Sequence, residues 1–172
     1  MNFLRPSFYV AFSVILAAAA LLLVFVAQYG FGLKPCPLCL YQRLPYFAIL
    51  LVGLVAGFGS KGQSTTIFLA LIGLWTISVI LAGYHSGVEA GLWTFAACAS
   101  SSQGAGSIAE LEAMIRQATV TPCDQPAFLL AGLSMADMNM ALSGVMVFWG
   151  FWAFRRTKKH PLTQKVKKVL TF

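Results

Sequence analysis

Four apolar stretches divide the chain. The first runs from about Phe8 to Tyr29 without a charged residue. It has the roughly 20 residues that a membrane-spanning helix needs. The second follows Arg43 and runs from Leu44 to Phe58, the third from Thr65 to about Gly83, and the fourth from about Asn139 to Phe154. The second and fourth hold about 15 residues, or roughly 22 Å of helix, against a hydrocarbon core of about 30 Å. A turn borrowed from the flanks, or a locally thinned bilayer, closes that gap. The first stretch exceeds the 7–15-residue core of a signal peptide, and no clean small-x-small site follows it. It reads as an uncleaved first helix.

The connections are polar and unequal. Gly59 to Ser64 makes a tight hairpin, while 30–43 and 84–138 make two longer loops and 155–172 a tail. In the longest loop, Ser107 and Glu110 have the spacing of a capping box. Ile108, Leu111, Met114, Ile115 and Ala118 follow on one helical face. That pattern predicts a short amphipathic helix, lying on the membrane or packed on the bundle. The expected fold is a single all-α membrane domain over 1–172: a four-transmembrane-helix bundle with spans near 8–29, 44–58, 65–83 and 139–154.

Composition strengthens this picture. The chain is 59% hydrophobic and 10% charged, where soluble domains are about 45–50% apolar and about 25% charged. A soluble domain of this size buries only about 60–70% of its surface, so an ordinary cytosolic enzyme is excluded. Net charge is +7, but its placement argues against nucleic acid. Seven of the twelve basic residues follow Phe154, and all five acids lie between Glu89 and Asp137. With both termini cytoplasmic, nine basic residues face inward and three outward, as the positive-inside rule demands. Arg155 to Lys159 then reads as a topology anchor at the inner leaflet. Trp75, Trp93, Trp149 and Trp152 have a plain account as interfacial or packing residues.

The cysteines carry the candidate chemistry. All four lie in the two outer loops: Cys36 and Cys39 as Cys-Pro-Leu-Cys, and Cys98 and Cys123 in the longer one. In an oxidising compartment an even set should pair. Cys-x-x-Cys pairs are commonly redox-active, because a helix start or nearby cation lowers one thiol's pKa. Cys39 falls at a helix entrance and Arg43 one turn further on. Cys98 and Cys123 could be a structural staple or a second redox pair. A zinc site using the four thiols is disfavoured, since the second pair lacks the close spacing of a zinc ribbon, and no metal is expected. His85 and Glu89 stand at i, i+4, a spacing also found in metal pairs; beside a redox site His85 could donate to a carbonyl or move a proton. Arg43 has an alternative account as a snorkelling cation, and Gln42 as an exposed boundary residue.

Taken together these elements resemble the disulfide bond formation protein B (DsbB) family of bacterial inner-membrane thiol oxidases. The likeness rests on Cys36 to Arg43, on Tyr84 to Glu89 with Trp93, on Cys98, on Pro122 to Asp124 and on Gly132 to Ala136. It implies two redox pairs, Cys36–Cys39 and Cys98–Cys123. The second would oxidise a soluble, periplasmic DsbA-like partner of thioredoxin fold. The partner's thiolate would attack Cys98, Cys123 would attack Cys36, and Cys39 would face a membrane quinone, ubiquinone or alternatively menaquinone. Arg43 and His85 match the family's residues near the quinone. The resemblance therefore implies a protein-disulfide:quinone oxidoreductase in the inner membrane, with both cysteine loops periplasmic. Competing readings are a sister-branch oxidase with a dedicated partner, a disulfide-stapled structural protein, a metal-handling protein, and a vitamin K epoxide reductase-like enzyme. The last is disfavoured because its Cys-x-x-Cys comes late in the chain.

Overall fold

A computed structural model describes residues 6–58, 65–98, 107, 122–124, 126 and 128–159. The expected amphipathic helix and the end of the basic tail lie outside them. Helix α1 spans Pro6–Phe25 and closes in a π-helical turn, Val26–Gly30. A short helix α2 (Pro37–Tyr41) leads into α3 (Arg43–Phe58). Helix α4 spans Thr65–Glu89, and a 3₁₀ turn follows at Ala96–Cys98. Strands β1 (Leu129–Leu130) and β2 (Leu133–Ser134) form a minimal hairpin ahead of α5 (Met135–Lys159). Ala131 and Gly132 both adopt positive φ in its two-residue turn, the backbone that a tight hairpin requires.

Among the described residues, three stretches are long and apolar enough to cross a bilayer: Ser7–Gly30, Pro37–Gly57 and Thr65–Glu89. The protein is thus mostly helical and multi-pass. Large apolar side chains such as Ile15, Leu22, Leu51, Val55, Ile80 and Phe148 point outward. In water such a surface would aggregate; in a bilayer its solvent is hydrocarbon.

The inward faces follow helical periodicity. On α4 the buried stripe is Phe68, Leu71, Trp75, Ser78, Ala82 and His85, alternating steps of three and four that suit near-parallel packing. On α1 it is Tyr9, Ser13, Ala17 and Leu21. Helix α5 lies along α4, and α3 joins α1 to α4. Small residues allow the close approach. A side chain at Gly150 of α5 would meet Tyr9 Oη at 2.7 Å and Ile72 at 2.8 Å. Trp149 stands edge-on to Tyr9 and Phe12, which settles its role as a packing residue.

Polar groups inside the bundle are paired. Tyr9 donates to the Met146 carbonyl at 3.2 Å, and Trp75 Nε1 to Ser13 Oγ at 3.2 Å. Among the described residues no buried side-chain nitrogen or oxygen lacks a partner. Two helix ends differ from the apolar pattern. Helix α4 continues past Gly83 to Glu89, with Ser86 donating to Asp137 of α5. Helix α5 begins at Met135, before the apolar run. Ser134 Oγ there accepts from the Asp137 N–H, and Asp137 Oδ2 accepts from the Ser134 N–H, each at 3.1 Å. This reciprocal cap satisfies two donors that the helix start would otherwise orphan.

Candidate functional site: a cysteine cluster beside an apolar cavity

The site begins with a proline-set turn. Cys36 is extended (φ −74°, ψ 164°) and caps α2, with Pro37 in the first helical turn, where a missing N–H costs nothing. The Cys39 N–H donates to Cys36 Sγ at 3.1 Å. One turn of helix brings the two sulfurs to 2.6 Å. Helix α2 stops at Gln42 because Pro45, with no N–H, cannot bond back to Tyr41. The resulting break turns Gln42 inward while Arg43 opens α3.

Gln42 is therefore buried at 9% exposure, which corrects its reading as an exposed boundary residue. Its Nε2 donates to His85 Nδ1 at 2.8 Å, and its Oε1 accepts from Asn139 Nδ2 at 2.9 Å. Asn139 Oδ1 in turn accepts from Tyr46 and from Ser143 at 3.2 Å, with Ser78 at 3.4 Å. A line of oriented polar groups thus crosses the bundle from α3 through α5 to α4. With Nδ1 accepting, the neutral His85 ring carries its proton on Nε2. That nitrogen lies 3.6 Å from Cys36 Sγ and 3.6 Å from Glu89 Oε1.

The second pair is a disulfide between Cys98 and Cys123, with Cα atoms 5.3 Å apart. It packs into one buried cluster with Cys36, Leu38 and Val88, and Cys39 lies against the edge. The Cys123 backbone also reaches the His85 ring. All four sequence-predicted cysteines therefore meet, with His85 between the pairs. The hydrogen bond with Cys39, and then burial, push the Cys36 thiol well above the ordinary range.

Cys39 also lines a cavity of about 250 Å³ between α1, α3, α4 and α5. Its wall is mostly apolar, with Leu21, Val24, Met138 and Leu142 among the contributors. Arg43, His85, Gln42 and Asn139 supply polar atoms on the same wall. Arg43 is held in place: Nη1 donates to Gln28 Oε1 at 2.7 Å, and the guanidinium lies 5.3 Å from the Phe25 ring centroid. These contacts argue against a freely snorkelling side chain. Near the cluster, Trp93 Nε1 donates to the Tyr84 carbonyl at 2.8 Å. Its ring occupies the space that a side chain at Gly87 would need, which ties Tyr84, Gly87 and Trp93 together in space.

Asn139, Gln28, Tyr46 and Lys34 also line this cavity, and sequence reasoning did not single them out as site residues. A polar Asn at the edge of an apolar run was the available signal for Asn139. Gln28 carried a similar signal near the end of the first stretch.

The sequence matches the family described as disulfide bond formation protein DsbB over residues 6–153. An uncharacterised protein of Rickettsia prowazekii (strain Madrid E) is 32% identical over 162 residues, covering 90% of this chain and 93% of that protein. The disulfide bond formation protein B of Blochmanniella floridana is 38% identical over 81 residues, 45% of each chain. That of Actinobacillus pleuropneumoniae serotype 5b (strain L20) is 43% identical over 70 residues, covering 35% of this chain and 38% of the relative. The aligned part thus spans less than half of each of these two named relatives. No solved structure matches. With a family match over nearly its whole length and paired cysteines at its site, the chain belongs to the DsbB family, the oxidoreductases of disulfide bond formation.

Proposed function

We propose that the protein is a thiol oxidase of the bacterial inner membrane that reoxidises a periplasmic DsbA-like dithiol and passes the electrons to a membrane quinone. The observation that supports this most is the single cluster that joins the Cys98–Cys123 disulfide to the Cys36–Cys39 pair, with Cys39 on the cavity wall. In this reading α5 is a fourth span. Its 25 residues give about 37 Å of helix. Both termini are cytoplasmic and the cysteine-bearing segments periplasmic, in keeping with the inward excess of Lys and Arg.

The chemistry follows from exchange between neighbours. A partner thiolate attacks Cys98 Sγ, the Cys98–Cys123 bond breaks, and Cys123 leaves as the thiolate. With the first pair oxidised, Cys123 then attacks Cys36, the Cys36–Cys39 bond breaks, and the electron pair arrives on Cys39. The charge falls there because Cys39 is the leaving sulfur, and the Arg43 guanidinium on the same cavity wall lowers the cost of holding it. The cavity suits a quinone head group: apolar walls for the ring and two cationic or donor side chains for its oxygens. The partner's second thiolate would release the oxidised partner from Cys98, Cys98 would displace Cys36 from Cys123, and the Cys36–Cys39 bond would re-form as their two electrons, with two protons, pass to a quinone held on the cavity wall. Arg43 would hold one oxygen, and the His85 Nε2 proton lies on the route between the sulfurs and the cavity. Ubiquinone is the proposed acceptor, with menaquinone the alternative.

The test is quinone reduction by the purified, detergent-solubilised chain, using a reduced thioredoxin-fold oxidase as donor. Quinol should form catalytically and stop in Cys39→Ser. Folded protein with its disulfides intact that reduces neither quinone would overturn the reading.

A further inference from the structure

Cys36 Sγ, Cys39 Sγ and His85 Nε2 all lie within 4.8 Å of one another. Glu89 Oε1 lies 3.6 Å from the same His85 nitrogen. Two thiolates and an imidazole form a donor set for a thiophilic ion, and neither the oxidase reaction nor the family match calls for one. We propose that the reduced pair, with His85, binds zinc(II) through three protein ligands, and that the ion holds the site out of the oxidative cycle. The proposal requires only that Cys36 and Cys39 can be reduced. It does not depend on which acceptor oxidises them.

The distances suit the coordination. Zinc–sulfur bonds of about 2.3 Å and zinc–nitrogen bonds of about 2.0–2.1 Å in a tetrahedron place sulfur and nitrogen roughly 3.5 Å apart. Cys36 Sγ and His85 Nε2 are 3.6 Å apart. The two sulfurs, at 2.6 Å, must open to roughly 3.8 Å, which side-chain rotation at Cys39 on the cavity wall can supply. Binding forms two zinc–thiolate bonds and releases two protons, with no change of oxidation state. A disulfide leaves neither sulfur as a thiolate ligand, so metal and disulfide exclude each other.

His85 must also change tautomer. Nε2 gives up its proton to the metal bond, and Nδ1–H needs an acceptor. The polar line behind the ring can reverse to provide one. A half-turn of the Gln42 amide presents Oε1 to Nδ1, and its Nε2 then donates to Asn139 Oδ1. Asn139 Nδ2 next faces Tyr46, Ser78 and Ser143, whose hydroxyls accept as readily as they donate. Gln42 and Asn139 keep the same neighbours, with donor and acceptor roles exchanged.

The experiment uses the full chain carrying Cys98→Ala and Cys123→Ala, so that only the first pair can bind. It is reduced with a phosphine, kept free of oxygen and titrated with cobalt(II), then with zinc(II). One equivalent of cobalt should give thiolate charge-transfer and tetrahedral ligand-field absorption, and zinc should abolish both. His85→Ala should weaken binding at least roughly tenfold, and Gln42→Leu should weaken it by about as much, while Gln42→Glu, which keeps an acceptor for Nδ1–H, should retain it. Should His85→Ala fail to fold, His85→Gln tests the same ligand. Absence of the thiolate band in folded, reduced protein overturns the proposal. So does equal affinity in the His85 variant, which would leave the two thiols as the whole site. Because this readout uses neither quinone nor partner, its failure leaves the oxidase reading standing.

Discussion

The two cysteine pairs share one buried cluster but rest on different supports. Cys36 and Cys39 are locked by a helix cap, a proline and a three-residue spacing, so their geometry is local. Cys98 and Cys123 are 25 residues apart, so their geometry is not local. Their proximity is a product of the bond and of packing against Cys36, Leu38 and Val88. The local pair borders the apolar cavity; the distant pair sits on a loop. Exchange with a soluble partner needs an accessible, movable sulfur, whereas delivery to a lipid-soluble acceptor needs a fixed one at the bilayer edge. In the proposed scheme the buried Cys98–Cys123 pair must therefore open toward its partner, whereas the first pair already stands at the cavity.

The comparison breaks most sharply at the sulfurs. Cys39→Ala should abolish quinone reduction whatever the donor. Cys98→Ala should abolish it with a protein donor but spare it with a small dithiol that can reach the first pair directly. Equal loss of both activities in Cys98→Ala would show that the pairs are not divided in this way. Next comes Arg43. Arg43→Ala should raise the quinone KM at least roughly tenfold with disulfide exchange intact, and Arg43→Lys should recover part of it, because a point charge lacks the planar fork held by Gln28 and Phe25. A smaller effect is expected behind the ring. Asn139→Leu strands Gln42 Oε1 and the Tyr46 hydroxyl, costing about 1–3 kcal/mol, which should appear as a lowered thermal midpoint in detergent.

The smallest effect concerns Asp137. The Ser86 hydroxyl and the Ser134 N–H hold its carboxyl below the usual range. The folded form therefore prefers the anion. That contribution is complete above the unfolded value of about 3.9 and is lost as pH falls through the lower folded one. Solvent screening keeps it under about 1 kcal/mol. Asp137→Asn should flatten the acid limb of the stability curve slightly and leave neutral-pH activity unchanged.

Much of the site was legible because its parts are local. Cys36-Pro37-Leu38-Cys39 carries its own geometry, and Arg43 follows by one turn. Ser134 and Asp137 were equally local, a Ser-x-x-Asp cap that marks the true start of α5, although the apolar run drew the boundary to Asn139. Gln42 was misread because its direction depends on the break before Pro45 and on a partner 97 residues away. His85 was visible as a candidate, but its ring is held by Gln42 and so by Asn139.

The sequence by itself determined the solvent, the apolar segments and the sorting of cysteines away from them. These follow from composition, run length and charge placement, which need no knowledge of contacts. Tertiary structure decided which helix faces meet and that the Cys98–Cys123 disulfide lies on Cys36. It also decided that four helices leave a cavity beside Cys39, and that amides from the α2–α3 junction and from α5 orient an imidazole on α4. Each of these depends on pairs far apart in the chain. Whether such pairs meet is decided by packing small residues such as Gly150 against Tyr9 and by satisfying every polar group that the bilayer would otherwise leave unbonded.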